Sequence, residues 1–314
     1  MTWDPRALPA QHGRTAVITG GNAGIGYHVA EQLARAGARV VLAARSPERT
    51  RTALDALRTA VPDASVTDVR LDLADLDSVR RAAEQLTAAG PVDLLVTNAG
   101  VTAATRRAKT VQGHELMFGT NHLGHFAFTL LLAPALAASP SARVVSLGSL
   151  THTRARIDFD DLQSSRDYRS MTAYGRSKLA VLLFATELDR RLRAQGSTVV
   201  SLAAHPGWAV QGLTPARPPL WEPGVSDFLR AAPLGLLAQG KDRGAWPVVR
   251  AATDPAALGG QYYGPSGPGR LKGFPTLQSL AGQAHDGAAA ARLWAASEEL
   301  TGVTWTGFHA PYGG

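Results

Sequence analysis

Cysteine is absent from the 314 residues. Neither a disulfide nor a thiolate metal site is open to this chain, and a reducing compartment is compatible with it. Lysine is scarce: Lys109, Lys178, Lys241 and Lys272 are the lysines, and arginine supplies the rest of the 32 basic side chains. Against 25 acids this leaves a net charge of +7 (32 − 25). The arginines are scattered in ones and twos, without a stripe or interleaved aromatics, which argues against nucleic acid as a partner and for a solvated Arg-rich surface. Long apolar runs are missing too. The longest, 126–138, is far short of the ~20 residues that a membrane span needs. Residues 1–13 hold Trp3, Asp4, Pro5 and Pro9 and no apolar segment that could act as a signal or anchor. The expectation is a cytoplasmic protein with no membrane anchor.

What is present is a composition that buries a core: 45% hydrophobic and 18% charged residues, the balance of a globular chain. From residue 14 to about 205 short apolar runs alternate with helical periodicity, the pattern of a parallel sheet with crossover helices. The runs 15–19, 39–44, 65–71, 93–97, 143–147 and 198–203 read as strands. Between the first two, Ile25, Val29 and Leu33 recur at helical spacing and Gly37 ends the pattern, which makes one βαβ unit. A helix over 172–194 buries Leu179, Leu182, Leu183, Leu188 and Leu192. Beyond Pro206, Pro215, Pro218, Pro219, Pro223 and Pro233 break any long element. The stretch 206–260 therefore reads as an irregular lid carrying Trp208, Leu213, Leu220, Trp221, Phe228, Leu229, Leu234 and Leu236. A strand at 261–263 and a helix over 286–300 return the chain to the core. No repeat or linker divides it, so one domain, 1–314, is expected: core 14–205, lid 206–260, last strand and helix 261–314.

The chemistry-bearing residues sit at element ends. Strand 15–19 runs into Thr19-Gly20-Gly21-Asn22-Ala23-Gly24-Ile25-Gly26, followed at once by a helix. Such glycines let backbone approach a pyrophosphate whose charge then rests on the helix N-terminus. The spacing of Gly20, Gly24 and Gly26 differs from G-x-G-x-x-G, and a plain turn is the other reading. About 20 residues on, Ala44 and Arg45 stand where an acid would accept from a ribose 2′-hydroxyl. Arg45, with Ser46 beside it, instead suits a 2′-phosphate, pointing to NADP(H), unless Arg45 is only an exposed charge. Asn22 is a further donor to that phosphate. Tyr174 and Lys178 lie four apart on one helix face. A neighbouring ammonium lowers a Tyr pKa and readies it for proton transfer. Ser149, at a strand end, is placed to bind a substrate oxygen. His122, His125, His152 and His205 do not form a convincing ligand set, so no metal is predicted.

Together, Thr19 to Gly26, Asn98-Ala99-Gly100, Ser149, Tyr174-x3-Lys178 and Pro206-Gly207 resemble, in that order, the short-chain dehydrogenase/reductase family over residues 14 to about 210. The resemblance implies an α/β fold: a single Rossmann-type domain with a doubly wound parallel sheet of about seven strands. It places the nicotinamide against Ser149, Tyr174 and Lys178, sets Asn98, Ala99 and Gly100 beside the cofactor and Asp72 with Leu73 at the adenine. Asn121 matches the family's helix asparagine, which holds a water between Lys178 and solvent. The 25-residue separation of Ser149 and Tyr174 resembles the retinol dehydrogenase, WW-domain oxidoreductase and protochlorophyllide reductase branch, in its bacterial members. Two positions depart from the family: Gln211 stands where Thr often follows Pro-Gly, and Gly148 precedes Ser149 where Ser is frequent.

The implied reaction is hydride transfer between NADP(H) and a carbonyl or alcohol, with reduction of a lipophilic ketone or aldehyde favoured. Ser149 and Tyr174 bind the oxygen, Tyr174 gives the proton, Lys178 orients the ribose, and Asn121 with water returns the proton. Reduction of a C=C bond, or a non-catalytic NADP-binding sensor, is the alternative; such sensors typically lose the Tyr or Lys that this chain keeps. A small molecule is the expected partner, and a homodimer is compatible with the sequence.

Overall fold

The computed structural model describes residues 3–102 and 106–308, and of Val225, Phe228 and Leu229 the backbone alone. The first half alternates strand and helix: β1 (Thr15–Thr19), α1 (Gly24–Arg35), β2 (Arg39–Ala44), α2 (Pro47–Ala60), β3 (Val66–Arg70), α3 (Leu76–Ala88) and β4 (Leu94–Thr97). One long helix follows in pieces: α4 (Leu116–Phe118), a π-helical turn Gly119–Leu123, and α5 (Gly124–Leu131). Then come α6 (Ala133–Ala137), β5 (Arg143–Leu147), the 3₁₀ turn Leu150–Arg154, α7 (Ser170–Ala194) and β6 (Val200–Ala204). The remainder holds β7 (Ala209–Val210), α8 (Val225–Ala231), β8 (Gln239–Gly240), α9 (Lys241–Gly244), α10 (Trp246–Thr253), β9 (Tyr262–Pro265), β10 (Pro275–Gln278) and α11 (Gly287–Thr301).

Eight strands pair in the order β10-β9-β6-β5-β4-β1-β2-β3, all parallel but the edge strand β10. The expected α/β Rossmann-type sheet is thus present, with eight strands rather than about seven. The additional strand, Pro-Thr-Leu-Gln, is too short to show alternation. Its proline sits at the start of an edge strand, one of the few places a sheet accepts one.

Because side chains alternate across a strand, one run feeds both faces. Val17, Val41, Leu95 and Val144 point into a cluster with Phe126, Leu188 and Trp294, while Ile18, Leu42, Leu94 and Val145 meet Leu33, Leu57 and Val248 on the other side. Helix α10 belongs to this second cluster, with Val248 and Val249 fully buried. The irregular part is therefore shorter than the lid expected over 206–260. Proline at its second position, Pro247, opened that helix instead of breaking it.

The order reverses at β1, since β2 and β3 extend to one side of it and β4 to the other. A crevice opens there beyond the carboxyl ends of the strands, where α/β sheets place their ligands.

Candidate active site

A cleft of about 590 Å³ occupies that crevice. Its walls include Gly20, Asn22, Gly24 and Ile25 from the turn after β1, Arg45 after β2, Asp72 and Leu73 after β3, and Asn98, Ala99 and Gly100 after β4. Ser149, Tyr174, Lys178, Pro206 and Gly207 complete it from the far side. Nearly all the residues singled out in the sequence are thus brought together.

The glycine turn is held from beneath. Thr19 Oγ1 accepts from the Asn98 and Ala99 amides at 2.9 and 3.0 Å, and Asn98 Nδ2 donates to the Thr19 carbonyl at 2.9 Å. A Cβ on Gly26 would stand on that Asn98 amide and on the Gly20 carbonyl. Gly26 therefore serves close packing under the turn and does not line the cleft. Gly207 (φ +66°) passes so near the Leu271 carbonyl that no side chain fits there either.

Helix α1 opens on Ala23, which caps no N–H, and carries no acid in its first turn. Its leading amides thus face the cleft without a side-chain acceptor, a cradle that fits the diphosphate of a dinucleotide. Arg45 is exposed at the rim and forms no ion pair among the described residues. Ser46 departs from expectation: it lies outside the cleft, and its hydroxyl accepts from Arg49 N as the N-cap of α2. A serine directly before Pro at N1 is the ordinary signal for that cap. Asp72 uses Oδ1 to accept from Ala74 N at 2.9 Å, which shapes the turn after β3.

On the other wall Ser149 Oγ accepts from Thr151 N at 3.3 Å and from the Thr151 hydroxyl at 3.1 Å. Gly148 packs against the tip of Leu182, which would have to shift for the serine often found there. Tyr174 and Lys178 share one face of α7. Burial pushes the Tyr174 phenol up from its ordinary value, opposed by a hydrogen bond with Ser149. The lowering expected from Lys178 is not realised in this arrangement. The Lys178 ammonium, itself buried, donates to the Leu147 carbonyl at 2.7 Å, and burial pulls its pKa down to about 8.

Asn121 sits in the π turn beside the cleft wall without lining it. Its Oδ1 accepts from Val101 N at 2.7 Å, and Nδ2 donates to the Val101 carbonyl and to Ser177 Oγ at 3.1 and 2.9 Å. The Ser177 hydroxyl in turn donates to the Tyr174 carbonyl at 2.8 Å. The Asn121 carbonyl accepts from His125 Nδ1 at 2.9 Å. The other histidines are similarly engaged: His122 with Ser297, His152 with the Ser149 carbonyl, and His205 with Gln278 and Gly207 N. Burial pulls His122 down to about 3 and His125 and His205 to about 4, the last with Gln278 opposing.

Of the lid's apolar residues, Trp208 lines the cleft. Leu213 lines a separate cavity and Leu220 and Trp221 another, Leu236 is exposed, and the side chains of Phe228 and Leu229 lie outside the described residues. Gln211 opens onto the same side cavity as Trp221, which adjoins the cleft at Ala23, Gly24 and Lys241. Sequence reasoning missed Lys241, which reaches the glycine turn from α9. The scarcity of lysine was the one available signal.

A family model described as short chain dehydrogenase matches residues 14–210. Polyprenol dehydrogenase of Mus musculus is 40% identical over 309 residues, covering 95% of this chain and 87% of its own. Retinol dehydrogenase 13 of Homo sapiens is 37% identical over 306 residues, covering 93% and 85%. A crystal structure of an uncharacterized protein from Mycobacterium Paratuberculosis superposes with a TM-score of 0.79 at 38% identity, over 97% of this chain and 99% of that one. The likeness to retinol dehydrogenases agrees with the long interval between Ser149 and Tyr174.

Proposed function

The chain belongs to the short-chain dehydrogenase family, and from that premise we propose that it is an NADP(H)-dependent oxidoreductase interconverting a lipophilic carbonyl compound and its alcohol, with reduction the favoured direction. One observation carries the reading: Ser149, Tyr174 and Lys178 open onto the same cleft as the glycine turn and Arg45. The bound nicotinamide supplies or takes the hydride.

The side chains divide the remaining work. Ser149 Oγ and the Tyr174 hydroxyl together hold the substrate oxygen. Kept protonated at neutral pH by burial, Tyr174 is the acid that a carbonyl reduction requires. Lys178, anchored on the Leu147 carbonyl, presents an ammonium to the cofactor ribose and to the phenolate left after proton transfer. Asn121 acts through position: its amide ties the Val101 backbone to Ser177 under Tyr174, and its carbonyl faces the water that returns the proton. Arg45 supports NADP(H) over NAD(H), because its planar fork suits a 2′-phosphate and Ala44 offers no carboxylate to a 2′-hydroxyl. The names of the relatives, polyprenol and retinol dehydrogenases, support a substrate among lipophilic alcohols and their carbonyl products, and Trp208 adds an apolar wall.

The test is NADPH consumption by the full chain against lipophilic aldehydes and ketones beside small polar ones, repeated with Tyr174→Phe. Turnover should favour the lipophilic set and vanish in the variant, while NADPH binding stays near that of the unmodified protein. Faster turnover of every small polar aldehyde would overturn the substrate class. Retained turnover in Tyr174→Phe would overturn the proton donor.

A further inference from the structure

Lys241 opens α9 directly behind β8 and reaches the end of the cleft occupied by the glycine turn. Its Nζ stands 3.6 Å from the point that a Cβ on Gly24 would occupy. Among the described residues the ammonium has no hydrogen bond and no ion pair. The end of α1 that it faces is itself positive: the first amides of a helix carry about half a unit charge, and here neither a capping side chain nor a first-turn acid offsets it. Two positive groups therefore share one end of a cleft, and burial pulls the lysine's pKa down with nothing opposing. An anion of two charges set between them would turn mutual repulsion into a clamp.

We propose that Lys241 is a ligand of the dinucleotide's diphosphate, closing on it from the side opposite the α1 amides. This assignment rests on the dinucleotide reading of the cleft. The lysine is also tied to the lid. Its backbone N–H donates to Thr214 Oγ1 at 3.0 Å, and that hydroxyl donates to the Val210 carbonyl at 3.0 Å. Behind it, β8 pairs with β7, which follows Pro206-Gly207. The charge contact thus draws the lid's inner strand pair toward the cofactor, whereas Arg45 acts at the far end, on the ribose.

Three ligands separate these contacts when titrated calorimetrically against the full chain: NADP⁺, NAD⁺, and adenosine 2′-phosphate, which has no diphosphate. Lys241→Gln should weaken NADP⁺ and NAD⁺ alike by roughly tenfold or more, the scale of a lost hydrogen bond to a charged group. It should leave adenosine 2′-phosphate unchanged, and Lys241→Arg should recover most of the loss. Arg45→Ala should show the complementary pattern, weakening NADP⁺ and adenosine 2′-phosphate and sparing NAD⁺. Unchanged dinucleotide affinity in Lys241→Gln, or an equal loss for all three ligands, would overturn the assignment. An unmodified protein that binds neither dinucleotide would overturn the cofactor reading itself, a result distinct from either.

Discussion

The Thr19 hydroxyl and Nε2 of His125 lie 2.8 Å apart, and this contact sets the direction of a whole hydrogen-bond chain. The Asn121 carbonyl can only accept, so His125 Nδ1 carries the hydrogen. Nε2 is then the acceptor, and Thr19 must donate to it. The Thr19 oxygen keeps its lone pairs for the Asn98 and Ala99 amides. One tautomer of one buried histidine thereby joins the π turn of Asn121 to the glycine turn and the end of β4.

Thr19→Val keeps the shape of the side chain and removes that oxygen, leaving His125 Nε2 and the Ala99 amide without their partner, while the Asn98 amide keeps the Val96 carbonyl at 3.1 Å. A loss of about 1–3 kcal/mol is expected for buried groups so stranded, together with weaker dinucleotide binding, since the turn after β1 loses its support. Thr19→Ser should restore both. Urea unfolding of the three proteins checks this, and a Thr19→Val variant as stable as the parent would contradict it.

Mild acid should destabilise the protein before most of its carboxylates titrate. His122, His125 and His205 have folded-state pKa values of about 3, 4 and 4, below the ~6.5 of an unfolded histidine. Where the folded pKa is depressed, the unfolded chain binds more protons. The stabilisation is then complete above about pH 6.5 and is lost as pH falls through the interval down to about 4. At about pH 5 each such histidine costs on the order of 2 kcal/mol. Urea midpoints should therefore fall steadily from neutral pH to pH 5, with about one proton taken up per histidine on unfolding; flat midpoints would refute the assignment of these rings as neutral.

The legible part of this molecule is the part that follows local rules. The bounds of β1, β2 and β5 were readable because aliphatic runs are short and flanked by breakers. The glycine turn, Ser149, Tyr174 and Lys178 were readable because their spacing along the chain reflects successive strand ends meeting at one edge of the sheet. The capping role of Ser46 was passed over, although a serine before proline at a helix start is the ordinary signal for it. Helix α10 was absorbed into the lid because the prolines from 215 to 233 were extended as breakers over the whole stretch to 260, past where the last of them acts. Lys241 and the Thr19 to His125 contact were invisible for a different reason. Their partners lie 106 residues apart in one case and 217 (241 − 24) in the other, and no periodicity encodes such a meeting.

Cofactor preference should answer to two neighbouring residues separately. Arg45→Ala should raise the KM for NADPH roughly tenfold or more, on the scale of a charged hydrogen bond, and leave NADH little changed. Adding Ala44→Asp should reverse the preference, since a carboxylate repels a 2′-phosphate while accepting from a free 2′-hydroxyl. Steady-state kinetics with both cofactors decides it, and equal kcat/KM for NADH and NADPH in the parent would reduce Arg45 to a surface charge.

A last expectation concerns how the lid is fastened. Glu31 on α1 is almost fully buried and accepts from Arg217 Nε at 2.6 Å, with Arg35 and His28 also beside it. Burial pushes its pKa up, but the hydrogen bonds from His28 and Arg217 and the attraction of Arg35 and Arg217 outweigh this and hold it down to about 2. Arg217 in turn closes a small loop, exchanging backbone hydrogen bonds with Trp221 at 2.7 and 2.8 Å. Removing one member of a buried pair costs more than the pair contributes, because the remaining charge stays desolvated. Arg217→Ala should therefore destabilise by about 2 kcal/mol, less than the usual figure for a fully buried pair because Arg35 still faces Glu31. Glu31→Gln removes the buried charge and keeps an acceptor, so its effect should be smaller. The two should differ most in the lid. Limited proteolysis of Arg217→Ala should cut within 214–240 faster than in the parent, while α1 and the sheet stay protected, because the ion pair is what binds this loop to a core helix. An identical cleavage pattern in parent and variant would mean that the loop is held by Leu220 and Trp221 against the core, and that the ion pair only neutralises Glu31.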